Sequence, residues 1–146
     1  MHFGMLTGNP IIDCAILAWF LAQVIKVLLD LLLLRQFRME RFVSSGGMPS
    51  SHSAFVVSCT TAIGRLHGMD GPLFALAVVL SSVVMYDACN VRRSAGDTAH
   101  LVNELLGHLE KLTAQELADN LKEVMGHTPL QVIAGAILGL LVGLLV

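Results

Sequence analysis

The sequence predicts an all-α integral membrane protein of about four transmembrane helices, with a cytoplasmic amphipathic helical hairpin attached. Three observations predict it. The 146 residues are 55% hydrophobic and 14% charged, whereas a soluble domain carries about 25% charged residues. The apolar residues gather into four long runs divided by polar, glycine-bearing stretches. Basic residues concentrate in two of those stretches, which an even number of crossings places on one side.

The length suits one domain, and a net charge of -2 gives no hint of a nucleic-acid partner. Cys14, Cys59 and Cys89 lie far apart inside apolar runs, so they read as small buried hydrophobes rather than bridges or metal ligands. Residues 1–10 form a short mixed leader with no assigned role. The run that follows lacks a basic leader and a small-residue cleavage site, so it reads as a retained span.

Span one covers 11–34, enough to cross about 30 Å of hydrocarbon at about 1.5 Å per residue. Its Gln23, Lys26 and Asp30 recur at i, i+3 and i+7 and share one face. Ionisable groups in a span face the bundle interior and mark function. A self-contained Lys26–Asp30 pair at i, i+4 is the plainer reading. Asp13, at the other end, reads as interfacial.

Arg35, Arg38 and Arg41 come next, followed by Gly46-Gly47-Met48-Pro49-Ser50-Ser51-His52-Ser53. Glycines let backbone approach an anion. Serine and proline open helices, and the free amides of a helix start bind anions. A serine-capped turn without function has the same ingredients. Span two is expected over 52–67, and span three over 73–89 after a Gly/Pro turn.

Residues 98–124 are amphipathic, with Leu101, Leu105 and Leu109 on one face and a capping box at Thr113-x-x-Glu116. Gly126 stops that segment, Thr128 caps the last helix, and Pro129 suits its first turn. Span four is 129–146, about the minimum length. Gly135, Gly139 and Gly143 repeat at four-residue spacing. Such a flat stripe suits close helix packing, within the subunit or between copies in a homo-oligomer.

The loop after span one holds Arg35, Arg38 and Arg41, and the segment after span three holds Arg92, Arg93, Lys111 and Lys122. Opposite them stands Arg65 alone. The positive-inside rule puts both basic stretches in the cytoplasm and both termini outside. The polar ends of spans one and three and the starts of two and four then meet at the cytoplasmic face.

The inventory there is Lys26, Ser50, Ser51, His52, Asp87, Arg92, Arg93 and His127. Cations neutralise a phosphate, and arginine grips two of its oxygens at once. One histidine can attack phosphorus while another protonates the leaving oxygen. A carboxylate fixes an imidazole tautomer. Arg92 and Arg93 also suit a purely topological role. No histidine has a partner at helical ligand spacing, so no metal or other cofactor is called for. His2, His67, His100 and His108 read as surface residues.

These motifs, namely Gly46 to Ala54, Tyr86-Asp87-Ala88 with Val91-Arg92-Arg93 and Gly96, and Gly126-His127-Thr128-Pro129 with Gly135 and Gly139, resemble the small divergent membrane branch of the type-2 phosphatidic acid phosphatase superfamily, which also holds the vanadium haloperoxidases. The likeness runs from about Ile11 to the C-terminus, weakest over 107–120. It implies a metal-free lipid-phosphate phosphohydrolase working through a phosphohistidine. Ser50 and His52 match the phosphate-binding serine and the general acid of a Pro-Ser-Gly-His motif, with Ser51 in place of glycine. His127 matches the nucleophile.

The departures are specific. The orienting aspartate expected four residues past the nucleophile is Gln131, which also completes a capping box with Thr128. Leu121 stands where an arginine belongs. Lys26 matches the first lysine, but its companion arginine falls on Leu33, two residues before Arg35. Asp87 is the candidate for the missing carboxylate, and Arg92 or Arg93 for the missing guanidinium.

The sequence therefore predicts a phosphohydrolase of membrane lipids, with phosphatidylglycerophosphate, phosphatidic acid and polyprenyl pyrophosphate as candidate substrates. The alternative is a catalytically degenerate relative that binds lipid phosphate or scaffolds a partner. A small transporter is suggested only by Lys26 and Asp30 within a span.

Overall fold

The structure, a computed structural model, describes residues 6–34, 47–91, 94, 96, 98, 101, 102 and 127–145. Among these residues four α-helices are traced end to end, and there is no strand: α1 (Pro10–Leu34), α2 (Ser51–His67), α3 (Pro72–Tyr86) and α4 (Pro129–Gly143). A single π-helical turn (Asp87–Val91) continues α3. Most of the expected 98–124 hairpin lies outside the described residues; positions 98, 101 and 102 are helical.

By length and composition, Pro10–Leu32 and Pro72–Val91 can each cross a membrane, and Pro129–Gly143 is a shorter apolar helix. The traced helices fall on the four apolar runs of the sequence. α2 starts at Ser51 rather than 52, and span three runs through the π turn to Val91.

α1 begins with Pro10 at its first position, behind Asn9, whose Oδ1 accepts from the Ile11 and Ile12 amides at 2.9 and 3.3 Å. The Asp13 carboxylate accepts from the amides of Leu6 and Thr7, each at 3.0 Å, and from the Thr7 hydroxyl at 2.7 Å. Asp13 thus folds the end of the leader back onto the first turn of α1.

α2 and α4 are parallel. A Cβ on Gly135 would strike the Ser50 carbonyl oxygen at 2.2 Å; one on Gly139, the Ala54 oxygen at 2.5 Å; one on Gly143, the Thr61 Cβ at 2.5 Å. Contacts climb both helices together, and the four-residue glycine stripe meshes with Ser50, Ala54, Ser58 and Thr61. Gly135, Gly139 and Gly143 are covered by α2 of the same chain, the within-subunit packing that the stripe allowed.

α1 runs opposite to α4, since the Cys14 thiol donates to the Val142 carbonyl at 3.5 Å while Lys26 reaches the loop before α2. α3 runs opposite to α2: Thr60 meets Ser81, and Gly64 meets Phe74. The core is built of Cys14, Ala18 and Ala22 of α1, Ala54 and Ala62 of α2, and Val142 of α4. Within α2 the Ser58, Thr60 and Thr61 hydroxyls donate back to Phe55, Val56 and Val57 carbonyls at 2.8–2.9 Å. A hydroxyl-rich helix can therefore sit in an apolar bundle without orphaned groups. At the far end Arg65 donates to the Leu144 carbonyl beyond α4.

Candidate functional site

With these directions, α1 and α3 end where α2 and α4 begin. Backbone hydrogen bonds stitch that level together. The Ser50 amide donates to the Gln131 carbonyl at 2.9 Å, joining the loop before α2 to the first turn of α4. The His127 amide donates to the Ala88 carbonyl at 3.0 Å, joining the start of α4 to the π turn after α3. A π turn shifts the positions of backbone groups relative to an α-helix and recurs at functional sites.

Ser50 is the N-cap of α2, and its Oγ accepts from the Ser53 amide at 3.4 Å and the Ser53 hydroxyl at 3.1 Å. Its own hydroxyl proton remains to be donated elsewhere. Ser50 and Ser51 are both buried. One residue on, His52 is half-buried, and its ring centroid lies 6.3 Å from that of His127, with the planes tilted by 58°. The two imidazoles are thus neighbours brought together from the starts of α2 and α4.

His127 is only 2% exposed. Its Nδ1 lies 3.2 Å from Gln131 Oε1, and the same oxygen accepts from the Thr128 amide at 3.0 Å. The Gln131 amide donates in turn to Thr128 Oγ1 at 3.4 Å. Both readings of Gln131 therefore hold at once, as helix cap and as partner of the imidazole.

Lys26 is 1% exposed, with its stem under Gly47. A Cβ on Gly47 would stand 3.0 Å from Lys26 Cγ and Cδ, and Gly47 has φ +100°. Only glycine combines that conformation with that clearance. Lys26 is thereby aimed at the loop leading into Ser50, as the inward-facing stripe on span one requires. Gln23, one turn earlier, is buried too, and its Oε1 has no hydrogen-bond partner among the described residues.

Of the predicted site residues, Lys26, Ser50, Ser51, His52 and His127 come to one end of the bundle. Asp87 opens the π turn, one residue before the carbonyl that receives the His127 amide. Arg92 and Arg93 lie outside the described residues, as do Arg35 and Leu121. Sequence reasoning missed the backbone ties through Ala88 and Gln131, which no side-chain pattern encodes. It also missed the part Gly47 plays over Lys26. Among the described residues no group of three or more His, Cys, Asp or Glu side chains is arranged to hold a metal ion.

A lysine packed under Gly47, a helix-capping serine and two neighbouring imidazoles are groups that can together bind a phosphoryl group and move protons to and from it. Comparison with known proteins agrees with this chemistry at the level of family. The family model described as "Divergent PAP2 family" matches residues 7–142. The Bacillus subtilis (strain 168) protein named "Uncharacterized membrane protein YuiD" is 35% identical over 150 residues, covering 96% of this chain and 94% of that protein. No solved structure matches the chain.

Proposed function

Because the chain belongs to the divergent PAP2 family of membrane proteins, we propose that it is a membrane lipid-phosphate phosphohydrolase acting through a phosphohistidine. The observation that carries this reading is the pairing of His52 and His127 at 6.3 Å, from the starts of two parallel helices.

The lone pair on His127 Nε2 attacks phosphorus, and the bond from phosphorus to the lipid oxygen breaks. Its electron pair leaves on that oxygen, which takes a proton from the His52 imidazolium. Water then attacks the phosphohistidine. His52, now neutral, accepts the water's proton, the P–N electron pair returns to His127, and inorganic phosphate departs. Lys26, Ser50, Ser51 and either Arg92 or Arg93 hold the phosphoryl oxygens. Asp87 orients one of the two histidines.

The bundle crosses the membrane four times with this end in the cytoplasm, where phosphatidylglycerophosphate, phosphatidic acid or a polyprenyl pyrophosphate would present its headgroup. Single cysteines placed in the 35–45 loop test the sidedness: labelling from the cytoplasmic side alone is expected, and labelling only from outside refutes it.

The activity is tested by phosphate release from detergent-solubilised protein offered those three lipids, with His127→Ala and His52→Ala beside the unaltered chain. Loss of the general acid is expected to slow release by about 10²–10⁴-fold, and loss of the nucleophile to abolish it. Equal release from all three proteins would favour the second reading, a degenerate relative that binds lipid phosphate or scaffolds a partner, for which an amide in place of a carboxylate at Gln131 is the supporting observation.

A further inference from the structure

We propose that Gln131 is a positioning residue that locks His127 in the tautomer with its proton on Nδ1 and its lone pair on Nε2, and that it does so without adding charge. The importance of that lone pair rests on the phosphohistidine reading above; the tautomer itself does not.

The Thr128 backbone amide can only donate, so the Gln131 atom 3.0 Å away must be the carbonyl oxygen, which fixes the amide's orientation. That oxygen also lies 3.2 Å from His127 Nδ1. A carbonyl oxygen only accepts, so Nδ1 must be the donor. A neutral imidazole with hydrogen on Nδ1 keeps its lone pair on Nε2. One oxygen thus closes the first turn of α4 and selects the nucleophilic nitrogen. The ring cannot adopt the opposite tautomer without setting a lone pair against the oxygen inside a buried site, where unmade hydrogen bonds are costly.

Charge separates this device from a carboxylate. An aspartate or glutamate would select the same tautomer, but it would also stabilise the imidazolium and raise the imidazole pKa. The amide selects the tautomer and brings no charge of its own. Among the described residues, the other ionisable groups toward this end are Lys26 and Asp30 from α1, His52 from α2 and Asp87 from the π turn. They are unchanged in the variants below, so a shift among those variants belongs to position 131.

The decisive measurement is ¹⁵N NMR of histidine-labelled protein in micelles, with assignment by His127→Ala. The unaltered chain is expected to show His127 with hydrogen on Nδ1. Gln131→Met should populate the other tautomer and cut phosphate release by about 100-fold or more, since a wrong tautomer is among the costliest errors in histidine catalysis. Gln131→Glu, which can still cap, should keep the Nδ1–H form and move the acid limb of the pH–rate profile and the ¹⁵N titration upward by about one unit or more.

Thr128→Ala removes the other half of the capping box and should change neither tautomer nor pH profile, which separates a cap from a tautomer lock. The proposal is overturned by hydrogen on Nε2 in the unaltered chain, or by an unshifted titration in Gln131→Glu. It is equally overturned if Thr128→Ala reproduces the tautomer change. Should the Nδ1–H form be found in a protein that releases no phosphate from any lipid, the lock stands and the hydrolase reading falls.

Discussion

α2 has two seams, and they are made of opposite materials. Against α4 it packs backbone on backbone: the glycines at 135, 139 and 143 lie where any Cβ would enter a carbonyl or a threonine of α2. Against α3 it packs through hydroxyls. The Thr60 and Ser81 hydroxyls share a 2.7 Å hydrogen bond, and the proton it leaves over goes to the Val56 carbonyl, 2.9 Å from Thr60 and 3.1 Å from Ser81, or to the Ala77 carbonyl, 3.2 Å from Thr60.

Lipid tails are as apolar as leucine, so neither seam gains from simple burial of oil. The first relies on close contact and tolerates no added atom. The second relies on polar groups that have no better partner in hydrocarbon, and it can readjust. The difference follows function. The inflexible seam carries His52 and His127; the adjustable one leads to the π turn that braces His127 from the side.

The largest effect expected from this contrast is in the glycine stripe. Gly139→Leu forces a side chain into the Ala54 carbonyl and should destabilise by about 3 kcal/mol or more, leaving little folded protein in a detergent thermal-melt assay. A near-normal melt would mean that α2 and α4 can slide apart, and the two seams would then be equivalent.

A smaller effect is expected between α2 and α3. Thr60→Val and Ser81→Ala should each cost about 1 kcal/mol, and the double variant less than their sum, because both remove one shared bond. Strict additivity in that cycle would show that the hydroxyls act separately, through their bonds to main-chain carbonyls.

The smallest effect belongs to the outer face of α3. Leu76 and Val79 are 65% and 60% exposed, so Leu76→Ala or Val79→Ala should move stability by no more than about 0.5 kcal/mol. A loss several times larger would reveal a protein neighbour on that face and sharpen the picture of α3 as the loosely held member.

Much of this was legible in the chain itself. Four apolar runs became α1 to α4 with modest boundary shifts, since span length and Gly/Pro punctuation are local properties. The meeting of Lys26, Ser50, Ser51, His52 and His127 at one end follows from alternation of direction alone. The glycine stripe was visible, but not its partner, because small residues at fourfold spacing fit a neighbour in the same chain or in another equally well. The π turn had no signature, because Asp87-Ala88-Cys89-Asn90-Val91 would continue an α-helix equally well. Gln131 was read as cap or as imidazole partner; a one-dimensional pattern cannot show one oxygen serving both the Thr128 amide and the His127 ring.

The shared heading of α2 and α4 has an electrical consequence. Each column of aligned peptide dipoles terminates in about half a positive charge at its start, and here two such starts lie side by side, tied by the Ser50 amide. That field is written in the main chain, so no side-chain replacement can erase it, and at a buried position dissolved salt screens it weakly. Any anion that reaches this depth meets a positive potential set by the scaffold alone.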